Sequence, residues 1–153
     1  MHKMIQAKTA LHRLNSKYLP YKWDLNIYRG CAHECIYCYA LYSHDYLGDK
    51  DFFGTLYVKD NIAEILDKEL SAKKWKKQVI NLGGVTDSYQ PIESKFKIMR
   101  DILKVMIKHK QPIIISTKSK LILRDSDLIA ELAELAYVNI AVTVTTMDAD
   151  IQK

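Results

Sequence analysis

The chain predicts an α/β fold: a parallel sheet with alternating helices against it. Three observations carry this. Short apolar runs rich in β-branched residues alternate with longer amphipathic segments, starting near Trp23. No repeat, low-complexity tract or linker interrupts that order. Small polar residues gather just after each apolar run, at the strand ends where α/β folds collect function.

Taken in order, residues 23–29 (WDLNIYR) read as a strand running into a cysteine-bearing loop. Residues 61–73 place Ile62, Ile65, Leu66 and Leu70 at helical spacing. Val79 to Leu82 is a short buried strand ending at Gly83-Gly84. Residues 94–109 carry Phe96, Met99, Leu103 and Met106 on one stripe, and Lys108, His109 and Lys110 suit the negative end of that helix dipole. Pro112 opens the strand Ile113–Thr117. Asp125 or Ser126 caps a third helix with apolar positions Leu128, Ile129, Leu132 and Leu135, and Val138 to Thr146 is the last strand. The expectation is a single domain over residues 1–153 with four parallel strands.

Alternation within the strands separates two faces. Val138, Ile140, Val142 and Val144 suit packing against helices, with Asn139, Ala141, Thr143 and Thr145 opposite. Leu25 and Ile27 likewise oppose Asp24, Asn26 and Tyr28, and Ile80 and Leu82 oppose Asn81 and Gly83. A polar inner face is unlike the Val, Ile and Leu layers of a packed (β/α)₈ core and suits a lumen that holds a polar cofactor. The unpaired edge of the last strand is an association hazard that a dimer would resolve.

At 153 residues and 48% hydrophobic content, the chain is large enough for one core. Its apolar stretches, such as Ile113-Ile114-Ile115, are too short to span a bilayer, and MHKMIQAKTALHRL has no apolar signal core. A membrane role is therefore not expected, and cytoplasmic location is. The net charge of +5 permits a polyanionic partner such as nucleic acid without requiring one. Lys73, Lys74, Lys76 and Lys77 are the densest basic patch, and Tyr39, Tyr42 and Tyr46 are the tyrosines that would accompany it.

Cys31, Cys35 and Cys38 are the only cysteines, in the run GCAHECIYCYA. Three thiolates on one short loop can wrap an inorganic core, and iron–sulfur clusters are held by such thiolates, usually four of them. Three protein ligands leave one iron with an open position, which is how metal sites perform chemistry. Other readings stand beside this one. A disulfide framework wants an even count and an oxidising compartment. A structural zinc site needs His33 as fourth ligand, although zinc sites draw a ligand pair from a distant knuckle. A redox pair at Cys35 and Cys38 leaves Cys31 without a role. Otherwise His33 and Glu34 are simplest as exposed loop residues.

The cysteine run resembles the signature of the radical S-adenosylmethionine (SAM) enzymes, with Tyr37 where that signature carries an aromatic. LNIYRGCAHECIYCYA, GVTDSYQPIE and ISTKSKLILRD, in that order, are similar to the spore photoproduct lyase-like group over roughly Lys17 to Asp150. The resemblance implies a [4Fe–4S] cluster on Cys31, Cys35 and Cys38, which splits SAM into methionine and a 5′-deoxyadenosyl radical that takes hydrogen from a substrate. It implies a flavodoxin- or ferredoxin-like electron donor. It implies a cofactor site built by Tyr37, by Gly83, Gly84, Thr86 and Asp87 toward the SAM amino group, by Ser116 and Lys118 toward the carboxylate, and by Thr143 and Thr145 at the last strand end. Asp87 and Thr86 stand where the family commonly carries a Gly-Gly-Glu type motif. The family's partial, TIM-like barrel usually has six strands, so four imply the N-terminal part of a truncated core. The named lyase also uses a further cysteine as hydrogen donor, and this chain has no fourth. A non-catalytic metal- or nucleic-acid-binding module, with a structural zinc or iron–sulfur site, is the alternative.

Overall fold

The four apolar runs lie side by side in the computed structural model, which describes residues 1–48, 50–148 and 150. The strands and helices in chain order are β1 (His2–Ile5), β2 (Leu11–Arg13), β3 (Trp23–Leu25), β4 (Tyr28–Arg29), β5 (Leu56–Lys59), α1 (Ile62–Leu70), β6 (Ile80–Leu82), α2 (Glu93–Phe96), α3 (Ile98–His109), β7 (Ile113–Thr117), α4 (Ser126–Leu135) and β8 (Val138–Val142). Short 3₁₀ helices span Tyr39–Leu47 and Lys120–Asp125. The larger sheet has the order β2-β3-β6-β7-β8; β3, β6, β7 and β8 are parallel and β2 is antiparallel on the edge. A smaller sheet, β1-β5-β4, pairs β1 parallel and β4 antiparallel with β5. The architecture is mixed α/β.

The helix-facing residues of the large sheet form the core as expected. Leu25, Ile80, Leu82, Ile113 and Ile115 are fully buried, and Ile62 and Leu66 of α1 and Met99, Ile102, Leu103 and Met106 of α3 are buried with them. Each such side chain contributes roughly 1.5–3 kcal/mol by leaving water. Opposite them, Asp24, Asn26 and Asn81 form a buried polar row: Asn81 Nδ2 donates to Asp24 Oδ1 at 2.9 Å, and the Asn26 amide donates to the other carboxylate oxygen. Burial holds the Asp24 carboxyl above its ordinary pKa despite those two bonds.

Five expectations change. The strand over 23–29 divides into β3 and β4, which join different sheets. At the division the buried Lys59 ammonium donates to the Asn26 carbonyl at 2.5 Å, and the Lys59 amide donates to Ile27 O at 3.4 Å. Tyr28 leaves the inner row with β4, and its phenol donates to Glu93 Oε2 at 2.5 Å. The helix over 94–109 is broken at Lys97, which is left-handed at φ 54°, because Glu93 accepts from the amides of Ile98 and Met99, both at 3.0 Å, and caps α3. The last strand stops at Val142, where its partner β7 also ends at Thr117. Ile140, Val142 and Val144 are 42%, 60% and 64% exposed, so the branched face of β8 is not packed under helices.

Lys59 also yields a prediction. Burial, helped by Arg29, lowers its pKa to about 8 from the usual lysine range. A base whose folded pKa is depressed penalises the folded state below that pKa, and the penalty is relieved as pH rises toward the unfolded value. Wild-type stability is therefore expected to gain on Lys59→Met between pH 8 and 9.5, by at most about 1.4 kcal/mol per pH unit. Urea unfolding at pH 7, 8, 9 and 9.5 measures the difference. A constant difference across that range rejects a titrating Lys59.

Candidate functional site

The cysteine loop starts from a backbone position that only glycine fills. Gly30 has φ +77°, and a Cβ there would stand 2.6 Å from the Thr55 carbonyl and 2.8 Å from that of Phe52. The chain can thus turn tightly out of β4, and the Cys31 amide donates to Phe52 O at 3.2 Å. Cys31 is buried against Ala40 and Phe52, whereas Cys35 and Cys38 are half-buried; all three are free thiols. Burial raises the Cys31 thiol pKa above its ordinary value.

All three cysteines line one open cavity of about 190 Å³ at the C-terminal ends of the parallel strands. Tyr37, Gly83, Gly84, Thr86, Asp87, Ser116, Lys118 and Thr143 complete its expected lining, joined by His33, Tyr39 and Thr117. Thr145 is not in the lining; it lies beyond the end of β8, exposed. Gly83, at φ +96°, passes so close to β7 that a Cβ would meet the Ser116 carbonyl at 2.8 Å. Gly84 lies on Asp24, whose carboxylate would be 2.5 Å from a Cβ. Tyr39 and Tyr42 are exposed, the Tyr39 hydroxyl donating to the Gly84 carbonyl; the Tyr46 side chain lies outside the described residues.

Asp87 and Lys118 are in the cavity wall, but their polar atoms already face the protein. Asp87 accepts from the Thr117 hydroxyl at 2.8 and 3.0 Å, from the Lys118 amide at 3.0 Å and from the Tyr89 amide at 2.8 Å. His33 Nε2 stands 3.2 Å from Asp87 Oδ2, without the alignment of a hydrogen bond. Burial pushes the Asp87 pKa up, and these surrounding donors outweigh it and hold the carboxyl below its ordinary range. Lys118 Nζ donates to Cys35 Sγ at 2.9 Å and to the Tyr37 hydroxyl at 2.8 Å. Two contacts were not legible in the sequence. His33 is only 16% exposed and not a free loop residue. Gln90, fully buried, binds the cysteine loop backbone, with Nε2 3.1 Å from Gly30 O and Oε1 2.9 Å from the Ala32 amide.

Among the described residues no three His, Cys, Asp or Glu side chains converge as ligands of one metal ion. A Cys₃His arrangement on a single zinc would require that, and His33 faces Asp87 instead. An iron–sulfur cube makes a different demand, because each thiolate binds a different iron and the ligands stand around a core. Three soft thiols on one open wall fit that donor set.

No described helix is long and apolar enough to cross a membrane. No solved structure gives a significant match. An uncharacterized protein of Mycobacterium tuberculosis is 35% identical over 153 residues, covering 97% of this chain and 45% of its own length. One of Methanocaldococcus jannaschii is 31% identical over 133 residues, 86% of this chain and 48% of its own length. One of Acidianus two-tailed virus is 26% identical over 127 residues, 78% and 42% respectively. The chain thus spans less than half the length of these curated relatives. The model of the radical SAM superfamily matches residues 25–153, from β3 through the cysteine loop to the end of the chain. Its match takes in β6, β7 and β8, the last residue of β3 and every residue lining the cavity, and the chain belongs to the radical SAM superfamily.

Proposed function

We propose that this chain is the cluster-bearing part of a spore photoproduct lyase-like radical SAM enzyme, folded as part of a TIM-like barrel. The observation that carries the reading is the placement of Cys31, Cys35 and Cys38 on the same cavity as the Gly83-Gly84 turn and the ends of β7 and β8. Cys31, Cys35 and Cys38 would hold three irons of a [4Fe–4S] cluster and leave the fourth for SAM. When bound and reduced, that cluster supplies the electron that cleaves SAM to a 5′-deoxyadenosyl radical.

The protein's share is binding, orientation and exclusion of side reactions. Gly83 and Gly84 let the turn lie directly on β7 and on Asp24, which puts its backbone in the cavity wall that would receive a ligand's amino group. Ser116 and Thr143 are in the same lining, and among the described residues Lys118 is its only lysine or arginine, which would turn from Cys35 and Tyr37 to meet a carboxylate. Asp87, already surrounded by donors, acts on the amino group through its charge. Substrate, one-electron donor and the activity of the whole protein belong to this proposal, since the relatives are about twice as long.

Anaerobic reconstitution with iron and sulfide, followed by metal counting and electron paramagnetic resonance with and without SAM, tests it. About four irons per chain and a signal that SAM changes are expected. One zinc and no iron would replace this reading with a structural metal module.

A further inference from the structure

We infer that the segment from Thr86 to Gln90 is a preformed receptor for the cysteine loop, with Gln90 as its positioning residue. Irregular loops ordinarily leave their backbone groups to water and sample many conformations. Here the two backbone groups flanking Cys31 are taken by one side chain. The Ala32 amide donates to Gln90 Oε1 at 2.9 Å, and Gln90 Nε2 donates to the Gly30 carbonyl at 3.1 Å. The amide thereby acts on the loop as a neighbouring strand would, offering one donor and one acceptor. Thr86 completes the hold: its hydroxyl donates to the same Gly30 carbonyl at 2.6 Å and accepts from Gln90 Nε2 at 3.0 Å.

Burial makes this a built arrangement. Gln90 is 0% and Thr86 4% exposed, so neither can exchange its loop contacts for water without leaving an unsatisfied group. The receptor is itself fixed in place. The Gln90 amide donates to Asp87 O at 3.2 Å, and the Glu93 amide to Gln90 O at 2.9 Å. Pro91 removes a backbone freedom between them. Asp87 stands one step along, its Oδ2 3.2 Å from His33 Nε2. Cys31, the cysteine between the two backbone groups that Gln90 takes, is also the one that is buried. The consequence is a loop ordered before any cluster arrives, so that the conformational entropy of ordering it is not charged against cluster binding.

The role of the cysteines as ligands rests on the proposed function, whereas the receptor is testable without metal. Residue-resolved hydrogen exchange on the metal-free full chain is the direct measurement. In Gln90→Ala the Ala32 amide is expected to exchange about tenfold faster or more, while amides of β6 and β7 keep their wild-type protection. Gln90→Glu retains the acceptor for Ala32 but turns an oxygen toward Gly30 O, and should restore part of the protection. Should Gln90→Ala fail to fold, Thr86→Val removes only the hydroxyl and should quicken exchange near Gly30 and Ala32 by a smaller factor. After reconstitution, Gln90→Ala should lose iron to a chelator about tenfold faster than wild type, with an unchanged signal type, because the ligands are intact. Unchanged exchange at Ala32 in the folded variants overturns the receptor, as does a rise spread evenly over the sheet. Failure of wild type to load iron would instead sink the cluster reading and leave the exchange result standing.

Discussion

Arg124→Ala is expected to lower stability by about 3–5 kcal/mol, because it leaves buried Glu93 without a cation and buried Asp125 with only one of its two. Arg124 Nη2 donates to Glu93 Oε1 and to Asp125 Oδ2, both at 2.6 Å, and Nε donates to Asp125 Oδ1 at 2.7 Å. Both carboxylate side chains are fully buried, whereas the Arg124 side chain is 21% exposed. Asp125 keeps Arg100 at 3.1 Å in the variant, and Glu93 keeps the Tyr28 phenol and the amides of Ile98 and Met99. The neutral donors on Glu93 do not replace a charge. Burial already lifts the Glu93 pKa above the usual carboxylate value against the bonds from Tyr28 and Arg124, and losing Arg124 lifts it further.

The sign of the pH dependence follows. A carboxyl whose folded pKa is raised takes up a proton in the folded state first, so stability falls as pH rises from the unfolded pKa to the folded one. The deficit of Arg124→Ala should therefore shrink from pH 7 to pH 5. Arg124→Lys keeps a charge but loses the planar fork, and should fall between the two. Urea unfolding of the metal-free proteins at both pH values is the measurement. A loss under about 1 kcal/mol, or a deficit that does not change with pH, would show that water or Arg100 compensates the pair.

That cluster also shows which parts of the fold were legible in the sequence. β6 and β7 are covered on their helix side by α1 and α3, so their buried residues write an apolar pattern that periodicity detects. β1 and β2 carry mostly exposed residues on short edges, and no such pattern marks them. β5 was readable in principle, since Leu56, Val58 and Lys59 are buried and Gly54 and Asn61 bracket the run. The break at Lys97 was not, because its cause is a carboxylate capping the next helix rather than a glycine or proline. The site divides in the same way. The cysteine spacing and the Gly83-Gly84 turn are local in sequence and were legible. The tie from Asp87 to Thr117 spans 30 residues, and that from Gln90 to Gly30 spans 60. Contacts of that range depend on how β3, β6 and β7 are ordered in the sheet, which no local pattern specifies.

Cys31→Ala, Cys35→Ala and Cys38→Ala are each expected to cut iron after anaerobic reconstitution from about four per chain to a tenth of that or less. With two thiolates left, the cube loses a bond at one of its three protein-held irons and that iron becomes open to water. The positions differ in what else they do, which separates ligation from packing. Cys31 is buried against Ala40 and Phe52, so its truncation also removes core contact and costs about 1 kcal/mol or slightly more of metal-free stability. Cys35 is half-buried and holds the Lys118 ammonium at 2.9 Å, while Cys38 is half-buried on the cavity wall. Truncating either should leave the metal-free unfolding midpoint almost unchanged while still abolishing the loading. Equal loss of iron in all three variants, with a stability change confined to Cys31→Ala, would identify the thiols as ligands. Full iron content and an unaltered resonance signal in each single variant would remove them from that role, since three spatially separate thiols cannot all be dispensable to a cluster they hold.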